Sequence, residues 1–156
     1  MPLHVVPAVG PVLEQVLMDT HPLWHDGLSV HAYRRYWDAQ LRTAWGRQHL
    51  DRVALVDGAH VLSSAKRYDL SLRLDGRIRR VLGIGAVFTT PAHRGHGYAR
   101  ELLARMLDTA VTEGQEFAML FSEIDPSFYE RLDFVPVPLQ ASTLVVDQKR
   151  AGTHEP

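Results

Sequence analysis

A short turn with two glycines is the part of the chain best suited to bind a ligand. It lies between an apolar run, VLGIGAVFTT, and a pattern typical of an amphipathic helix. The glycines let the backbone curl closely around a ligand, and the free N–H groups and dipole at a helix start attract anions. Arg94 adds a forked donor with a permanent charge that suits phosphate oxygens. The turn therefore predicts a phosphate site, with a ligand-free strand-to-helix turn as the alternative.

Other ligand motifs do not fit this sequence. It has no Gly-Lys-Ser/Thr, which excludes a P-loop, and no third glycine at the dinucleotide-binding spacing. Among the nine histidines, His21 and His25 are four residues apart, and His93 and His96 are three apart. Pro22 is expected to prevent a helix through the first pair, and neither pair has a Cys or Glu at ligand spacing. We therefore expect no metal, and expect His93 and His96 to flank the phosphates.

The turn and a second segment downstream together resemble the GNAT superfamily of N-acetyltransferases. The pattern Arg-x-x-Gly-x-Ala over residues 94–99 is similar to the acyl-CoA-binding motif of that family. After the apolar run AMLFSEI, Tyr129 and Phe134 match the family pattern Phe-Tyr-x-x-x-Gly-Phe, with Asp133 in place of the glycine. The resemblance covers residues 81–137 well and the first half of the chain only in outline.

The resemblance implies that acetyl-CoA is the co-substrate. The strand end before Pro91 would offer backbone groups to the pantetheine arm, and the N–H groups of the turn would hold the pyrophosphate. Ser122 stands where many relatives carry an asparagine, which puts its contact with CoA in doubt. The predicted cofactor-binding residues are Val87, Phe88, Thr89, Arg94, Gly95, His96, Gly97, Tyr98, Ala99 and Ser122.

The resemblance also implies direct transfer of an acetyl group to a primary amine in a ternary complex. Tyr129 matches the family position of the general acid that protonates the departing CoA thiolate. A phenol with a reference pKa near ~10 holds its proton at neutral pH and can donate it. The alternative for Tyr129 is a packing role with its hydroxyl capping a backbone group. The chain has no cysteine, which excludes a cysteine acyl-enzyme and favours direct attack.

The general base is less clearly indicated. No acidic residue lies on the strand over 81–89, where several relatives place a glutamate. Glu123 is the first candidate, Asp125 and Asp69 follow, and a water chain to solvent is an equal alternative. Glu123 and Asp125 have two further interpretations, as attractors of a cationic amine or as solvated carboxylates without a role.

The composition sets the class of protein. The chain has 156 residues, of which 46% are hydrophobic and 22% charged, which predicts one domain over 1–146 and a charged tail over 147–156. The formal charge of −1 lacks the basic balance of a nucleic-acid binder, and no segment approaches the ~18 apolar residues of a membrane span. We expect a cytoplasmic protein that acts on a small-molecule or peptide amine, without nucleic acid or membrane partners. Whether two copies form a homodimer stays open.

The elements that must position these residues can be predicted from apolar periodicity and turn signals. Two helices follow a first strand at 3–6: one from Pro11 that ends before Pro22, and one from Ser29 with an aromatic stripe. Strands are predicted at 52–56, 59–74 and 77–89, joined by hairpin turns at Asp57-Gly58 and Asp75-Gly76. The central helix runs from 98 to 113 and ends at Gly114. A buried parallel strand at 117–121, a short helix at 126–132 and strands at 134–137 and 142–146 complete the chain.

This order predicts an α/β fold of the GNAT type, with a mixed central sheet of about six to seven strands flanked by about four helices. Two further functions remain open beside the acetyltransferase. One is a CoA-responsive binding or interaction module that has lost turnover, which Asp133, Ser122 and the missing strand glutamate favour. The other is an unrelated phosphate-binding α/β domain that prefers simple nucleotides.

Overall fold

A computed structural model of the protein describes residues 2–140 and 142–144. The chain divides into two compact units, one up to Ile124 and one from Asp125 onwards. In chain order, the strands and helices are β1 (His4–Pro7), α1 (Gly10–Trp24), α2 (Val30–Arg42), α3 (Gly46–His49), β2 (Leu50–Asp57), β3 (His60–Leu74), β4 (Arg77–Thr89), a 3₁₀ turn (Pro91–His93), α4 (Tyr98–Thr112), β5 (Phe117–Leu120) and α5 (Ser127–Glu130).

One mixed sheet organises the first unit. Its strands lie in the order β1-β2-β3-β4-β5, and the three pairs among the first four strands are antiparallel. β5 joins β4 in parallel, which requires a crossover, and α4 supplies it. The predicted α/β fold with a mixed sheet is therefore confirmed, with five strands in the described residues where about six to seven were expected.

The β3–β4 hairpin is the longest structure in the sheet. Leu74 pairs with Arg77, so the turn between them holds only Asp75 and Gly76. Both turn residues have positive φ, 48° and 75°, as a type I′ turn requires. The Asp-Gly signal thus fixes the end of a hairpin whose second strand leads into the glycine turn.

Helices pack on both faces of the sheet. The buried side chains of α1 and α2 form an apolar cluster with β1, β2 and β3, in which Val16, Leu17 and Trp37 are almost fully buried. α4 packs against β2, β3 and β4 through Leu102 and Leu103, both fully buried. The predicted amphipathic face of α4 is confirmed, and Gly114 follows its end with φ of 75°.

Helix α1 differs from the prediction because it continues through Pro22 to Trp24. Proline removes one helix hydrogen bond and normally ends the segment. Here only two residues follow Pro22 within the helix, and packing holds the preceding turn. Val16, Leu17 and Thr20 are buried, and the Thr20 hydroxyl donates to the Val16 carbonyl at 2.7 Å. The prediction that this helix ends before Pro22 was therefore wrong.

The strand predicted at 134–137 is absent, and the described residues 142–144 of the last predicted strand are also irregular. Pro136 and Pro138 lack the N–H groups that a sheet ladder needs, which accounts for the first difference. Residues 145 and 146 and the predicted tail at 147–156 lie outside the described residues. None of the described helices combines the length and apolar character needed to cross a bilayer.

Candidate active site

The candidate site begins where β4 and β5 separate. β5 pairs with β4 from Val81 to Ile84 and no further. On its other side β4 stays paired with β3 as far as Thr89. Alternate backbone groups between Gly85 and Thr89 therefore face the side that β5 has left. A sheet edge of this kind can accept an extended ligand as an added strand.

A β-bulge lies at the same point of β4. Lys66 pairs with Gly85 and Ser64 with Phe88, so two residues of β4, Ala86 and Val87, oppose one residue of β3. Ala86 has φ of 48°, an uncommon conformation for a residue with a side chain. Bulges turn the following backbone groups and often occur beside active sites. The three predicted strand residues, 87–89, thus lie on the open segment.

The glycine turn comes next along the chain and leads directly into α4. Gly95 and Gly97 have φ of 79° and 80°, and Gly97 is the N-cap of the helix. The first N–H that completes the ladder belongs to Glu101, which donates to the Gly97 carbonyl. The N–H groups of residues 98–100 therefore project from the helix end. A Cβ placed on either glycine would meet no atom within 4 Å, so conformation and not space requires glycine there.

Arg94 ties this turn to the end of β4. Its Nε donates to the Thr89 carbonyl at 3.2 Å, and its exposed Nη groups have no partner in the described residues. Thr89 is held from the other side, where its hydroxyl donates to Ser63 Oγ at 3.1 Å. The neighbouring Thr90 hydroxyl is buried and has no partner in the described part of the chain. Arg94 is thus held beside the helix start, and its Nη groups remain free to donate hydrogen bonds to a ligand.

His96 and Tyr98 stack at the mouth of the turn. Their ring centroids are 5.7 Å apart and the rings are nearly parallel, at 12°. His96 Nδ1 lies 2.9 Å from the Arg94 carbonyl, and since a carbonyl only accepts, Nδ1 carries the proton. His93 meets Tyr98 edge-on. These ring contacts link the turn to Tyr98, the first residue of α4.

The donors present fit an acyl-CoA. An open strand edge suits the amide groups of a pantetheine arm, and several N–H groups at a helix start with Arg94 beside them suit a pyrophosphate. Nine of the ten predicted cofactor residues, 87–89 and 94–99, lie along this one path. Ser122 follows β5 instead, and its hydroxyl accepts from the Ile124 N–H at 3.2 Å.

Tyr129 lies in the second unit, on the short helix α5. It is 9% exposed, and its ring meets Phe128 and Phe134 edge-on at 5.0 and 6.0 Å. Its hydroxyl makes no hydrogen bond to the described residues, so no capping role occupies it there. Asp133, in the turn after the helix, has the left-handed conformation with φ of 63°, which glycine adopts without strain.

The candidate bases differ in their surroundings. Asp125 accepts from the Ser127 N–H at 2.8 Å, and the bonds from Ser127 lower the pKa of its carboxyl, which weakens it as a base. Asp69 accepts from Gln115 at 3.0 Å and from Arg80 at 3.4 Å, which commits it to a structural network. Glu123 is exposed and has no partner in the described residues. It therefore stays a prediction, alongside the water chain.

The histidine pairs take other roles. His21 and His25 do lie together, with ring centroids 5.1 Å apart, because α1 runs through Pro22. His21 Nε2 bonds the Leu28 carbonyl at 2.8 Å and so fastens the α1–α2 connection. Within residues 2–140 and 142–144, no group of three or more His, Cys, Asp or Glu side chains is placed to hold a metal ion.

Three polar side chains near the open segment were not predicted. Arg52, Lys66 and Tyr68 project from one face of β2 and β3, beside Gly83 and Gly85 of β4. The signal for them in the sequence was a cationic residue within each of two apolar strand patterns, Arg52 in β2 and Lys66 in β3. Their proximity depends on strand register, which the sequence does not show directly.

Comparisons with known proteins agree with this fold. An acetyltransferase from Trypanosoma brucei is 19% identical, with a TM-score of 0.69 over 92% of this chain and 100% of that one. An aminoglycoside acetyltransferase from an uncultured soil metagenomic sample is 16% identical, with 0.66 over 94% and 100%. Glucosamine-6-phosphate N-acetyltransferase from Arabidopsis thaliana is 11% identical, with 0.68 over 92% and 99%. At these identities the likeness shows a shared fold. No curated protein matches the sequence.

The sequence itself gives the more specific result. It matches the family model described as the acetyltransferase (GNAT) domain over residues 24–137. This segment is well over half of the chain and includes β4, the glycine turn, α4 and Tyr129. The protein therefore belongs to the GNAT family of acetyltransferases.

Proposed function

We propose that the protein is an N-acetyltransferase that moves an acetyl group from acetyl-CoA to a primary amine by direct attack in a ternary complex. The observation that carries the proposal is the succession of three elements along the chain: the open end of β4, the glycine turn and the start of α4. A strand edge opens after Ile84, and within a few residues Gly95 and Gly97 turn the chain into a helix start. Both features serve a ligand that is extended at one end and carries phosphate at the other.

In this proposal, different residues bind acetyl-CoA, stabilise charge and transfer protons. Bound acetyl-CoA supplies an acetyl thioester. Backbone groups over 87–89 bind the pantetheine arm, and an N–H on this strand stabilises negative charge on the thioester oxygen during attack. The N–H groups over 94–99 and the Arg94 guanidinium bind the pyrophosphate. Tyr129, assigned from its motif, gives its proton to the departing sulfur, and Glu123 or a water chain takes the proton of the amine.

Titration calorimetry with acetyl-CoA tests the cofactor site. The variant Gly97→Ala places a methyl group where a phosphate would approach the helix start. Gly114→Ala is its matched control, because Gly114 has φ of 75° at the opposite end of the same helix. Both variants carry similar backbone strain. We expect the first to lose most of the affinity for acetyl-CoA and the second to retain it.

Release of free CoA thiol with a panel of primary amines, together with mass spectrometry of the acetylated product, tests turnover. No binding of acetyl-CoA by the intact protein would overturn the proposal. Binding without thiol release for any amine would instead support the binding or interaction module that lacks turnover.

A further inference from the structure

Two cations and a phenol lie side by side on the sheet next to the open segment of β4. Arg52 of β2 pairs with Lys66 of β3, and Lys66 pairs with Gly85 of β4. Direct cross-strand neighbours project to the same face, so these residues form one row across three strands. The row ends at Gly85, the first residue of β4 beyond its pairing with β5. The positive charges therefore lie beside the segment proposed to bind the thioester end of acetyl-CoA.

Arg52 is buried without a countercharge. Arg52 is 4% exposed, and its Nε and Nη1 atoms have no hydrogen-bond partner in the described residues. The guanidinium carbon lies 5.1 Å from the centre of the Trp37 ring. Burial lowers the pKa of the guanidinium, and Tyr33 partly offsets the effect. The Trp37 ring face and the Tyr33 side chain compensate a buried cation less well than an anion does.

Lys66 is the accessible member of the pair. It is partly exposed, and its Nζ donates to Gln40 Oε1 at 3.2 Å and lies 5.2 Å from the same Trp37 ring. Burial, and then the charge of Arg52, lower the pKa of the amine to about 8. No ion pair forms between either cation and an acidic residue in the described part of the chain. Asp51 and Asp69 alternate with these positions along their strands and so project from the other face.

Tyr68 lies next to this row, two residues after Lys66 on β3. Its Cβ lies beside Gly83, its ring extends over Gly85, and its hydroxyl is 3.3 Å from where a Cβ of residue 85 would be. Burial raises the pKa of this phenol, so it keeps its proton and acts as a donor. Glycine at both positions leaves space for the ring, and no side chain of β4 comes between Tyr68 and the strand.

We propose that the amine acceptor carries an anionic group, a carboxylate or a phosphate, which binds against Lys66 with the charge of Arg52 behind it and the Tyr68 hydroxyl beside it. This inference rests on the proposed acetyltransferase function. A pair of like charges, one buried and one partly exposed, favours a ligand that brings the opposite charge and disfavours a polycation. The site would therefore discriminate against polyamine acceptors and in favour of amino acids or amino phosphates.

Sheet geometry limits the length of this acceptor. Neighbouring strands lie about 4.8 Å apart, so the backbones of Arg52 and Gly85, two strands apart, are separated by about 10 Å. Lys66 lies between them. An amine that reacts near Gly85 therefore carries its anionic group a few bonds away, as in a small ω-amino acid or aminoalkyl phosphate.

A matched set of acceptors tests the inference. Four compounds share one short alkyl chain with a primary amine at one end and differ at the other, which is a carboxylate, a phosphate, a hydroxyl or a second amine. We expect thiol release with a kcat/KM at least tenfold higher for one or both anionic compounds than for the alcohol, and lowest for the diamine. The first two arms distinguish a carboxylate from a phosphate.

The variant Lys66→Met should raise the ratio of KM for the anionic acceptors to KM for the alcohol about tenfold. Arg67→Met is its control, because Arg67 is the next residue on β3, projects from the opposite face and pairs with Glu113. Equal kcat/KM for the anionic compounds and the alcohol, or preference for the diamine, would overturn the inference while the acetyltransferase function stands.

A binding measurement that requires no turnover distinguishes a failure of the acetyltransferase proposal from a failure of the anion-site proposal. The analogues in which a hydroxyl replaces the reacting amine cannot be acetylated on nitrogen, and their binding is followed by thermal unfolding of the protein. The carboxylate or phosphate analogue should raise Tm, and Lys66→Met should abolish that rise while Arg67→Met preserves it. If acetyl-CoA does not bind, the function fails; if no anionic analogue shifts Tm, the anion site fails.

Discussion

The ring of Tyr68 fills the space above Gly85: a Cβ built on that glycine would lie 3.0 Å from Tyr68 Cε2. The contact at Gly83 is tighter still, with 2.6 Å to Leu70 Cδ1 and 2.9 Å to Tyr68 Cβ. Leu70 and the edge of the Tyr68 ring can rotate, whereas Tyr68 Cβ is fixed by the β3 backbone. The two glycines of β4 are therefore unequal in the space that they give to β3.

Gly83→Ala should lower the free energy of unfolding by about 1–3 kcal/mol, since the added methyl group overpacks against Tyr68 Cβ. Gly85→Ala should cost less, because the ring edge can move by a few tenths of an ångström. Urea denaturation followed by tryptophan fluorescence measures both, and equal costs would contradict the ranking.

Tyr129→Phe removes a hydroxyl and keeps the ring that packs on Phe128 and Phe134. If Tyr129 is the general acid, kcat should fall by about 10²–10⁴-fold, because the departing thiolate loses its proton donor. Affinity for acetyl-CoA, measured by calorimetry, and the thermal midpoint should stay the same. An unchanged kcat would leave Tyr129 with a packing role only.

Lys66→Met should stabilise the protein at neutral pH. Burial and Arg52 lower the pKa of Lys66 to about 8, below the value near ~10.4 of an unfolded chain. The unfolded state thus binds more protons between about pH 8 and 10, and this contribution to stability rises with pH across that window. Below about pH 8 Lys66 is charged in both the folded and the unfolded state, so the full cost of burying its charge lowers the free energy of unfolding. Removing it should gain about 1–2 kcal/mol at pH 7, a value reduced for the partial exposure of Lys66.

The gain from Lys66→Met should shrink above pH 8 and vanish near pH 10. Denaturation curves for the wild type and the variant at a series of pH values test this. Arg67→Met serves again as the control and should show no such pH-dependent gain. A loss of stability in Lys66→Met at pH 7 would mean that its contacts with Gln40 and Trp37 outweigh the charge penalty.

Asp133→Val should destabilise the turn that follows α5, because a β-branched residue at φ of 63° is strained by about 1–2 kcal/mol. Asp133→Gly should change little. Amide exchange at Phe134, whose N–H donates to the Tyr129 carbonyl at 3.3 Å, reports this turn directly. Faster exchange in the glycine variant than in the valine variant would be the opposite of this expectation.

Local signals predicted much of the fold. The Asp75-Gly76 turn, the apolar stripe of α4 and the N-cap Ser29, whose hydroxyl accepts from the Ala32 N–H at 3.2 Å, are each set by residues close in sequence. The glycine turn was predicted for the same reason. In each case the backbone conformation follows from the residue types in a single short segment.

The row of Arg52, Lys66 and Gly85 could not be predicted because a bulge sets the register between β2 and β3. A regular ladder continued from the pair Asp57 and His60 would place Arg52 opposite residue 65 instead of Lys66. The shift between Leu55 and Val56 moves the pairing by one residue, which reverses the face on which a partner lies. A second irregularity, between Ser64 and Lys66, separates this row from the end of β4. Pairings of this kind depend on the whole sheet.

The bulge at Ala86 and Val87 has a consequence for solubility. A strand with an unpaired edge is a template on which other chains can add and aggregate. The irregular spacing at residues 86 and 87, directly beyond the last pair with β5, interrupts the regular ladder that an incoming protein strand would need. The same local distortion thus leaves the edge open to a flexible ligand and makes it a poor template for a growing sheet.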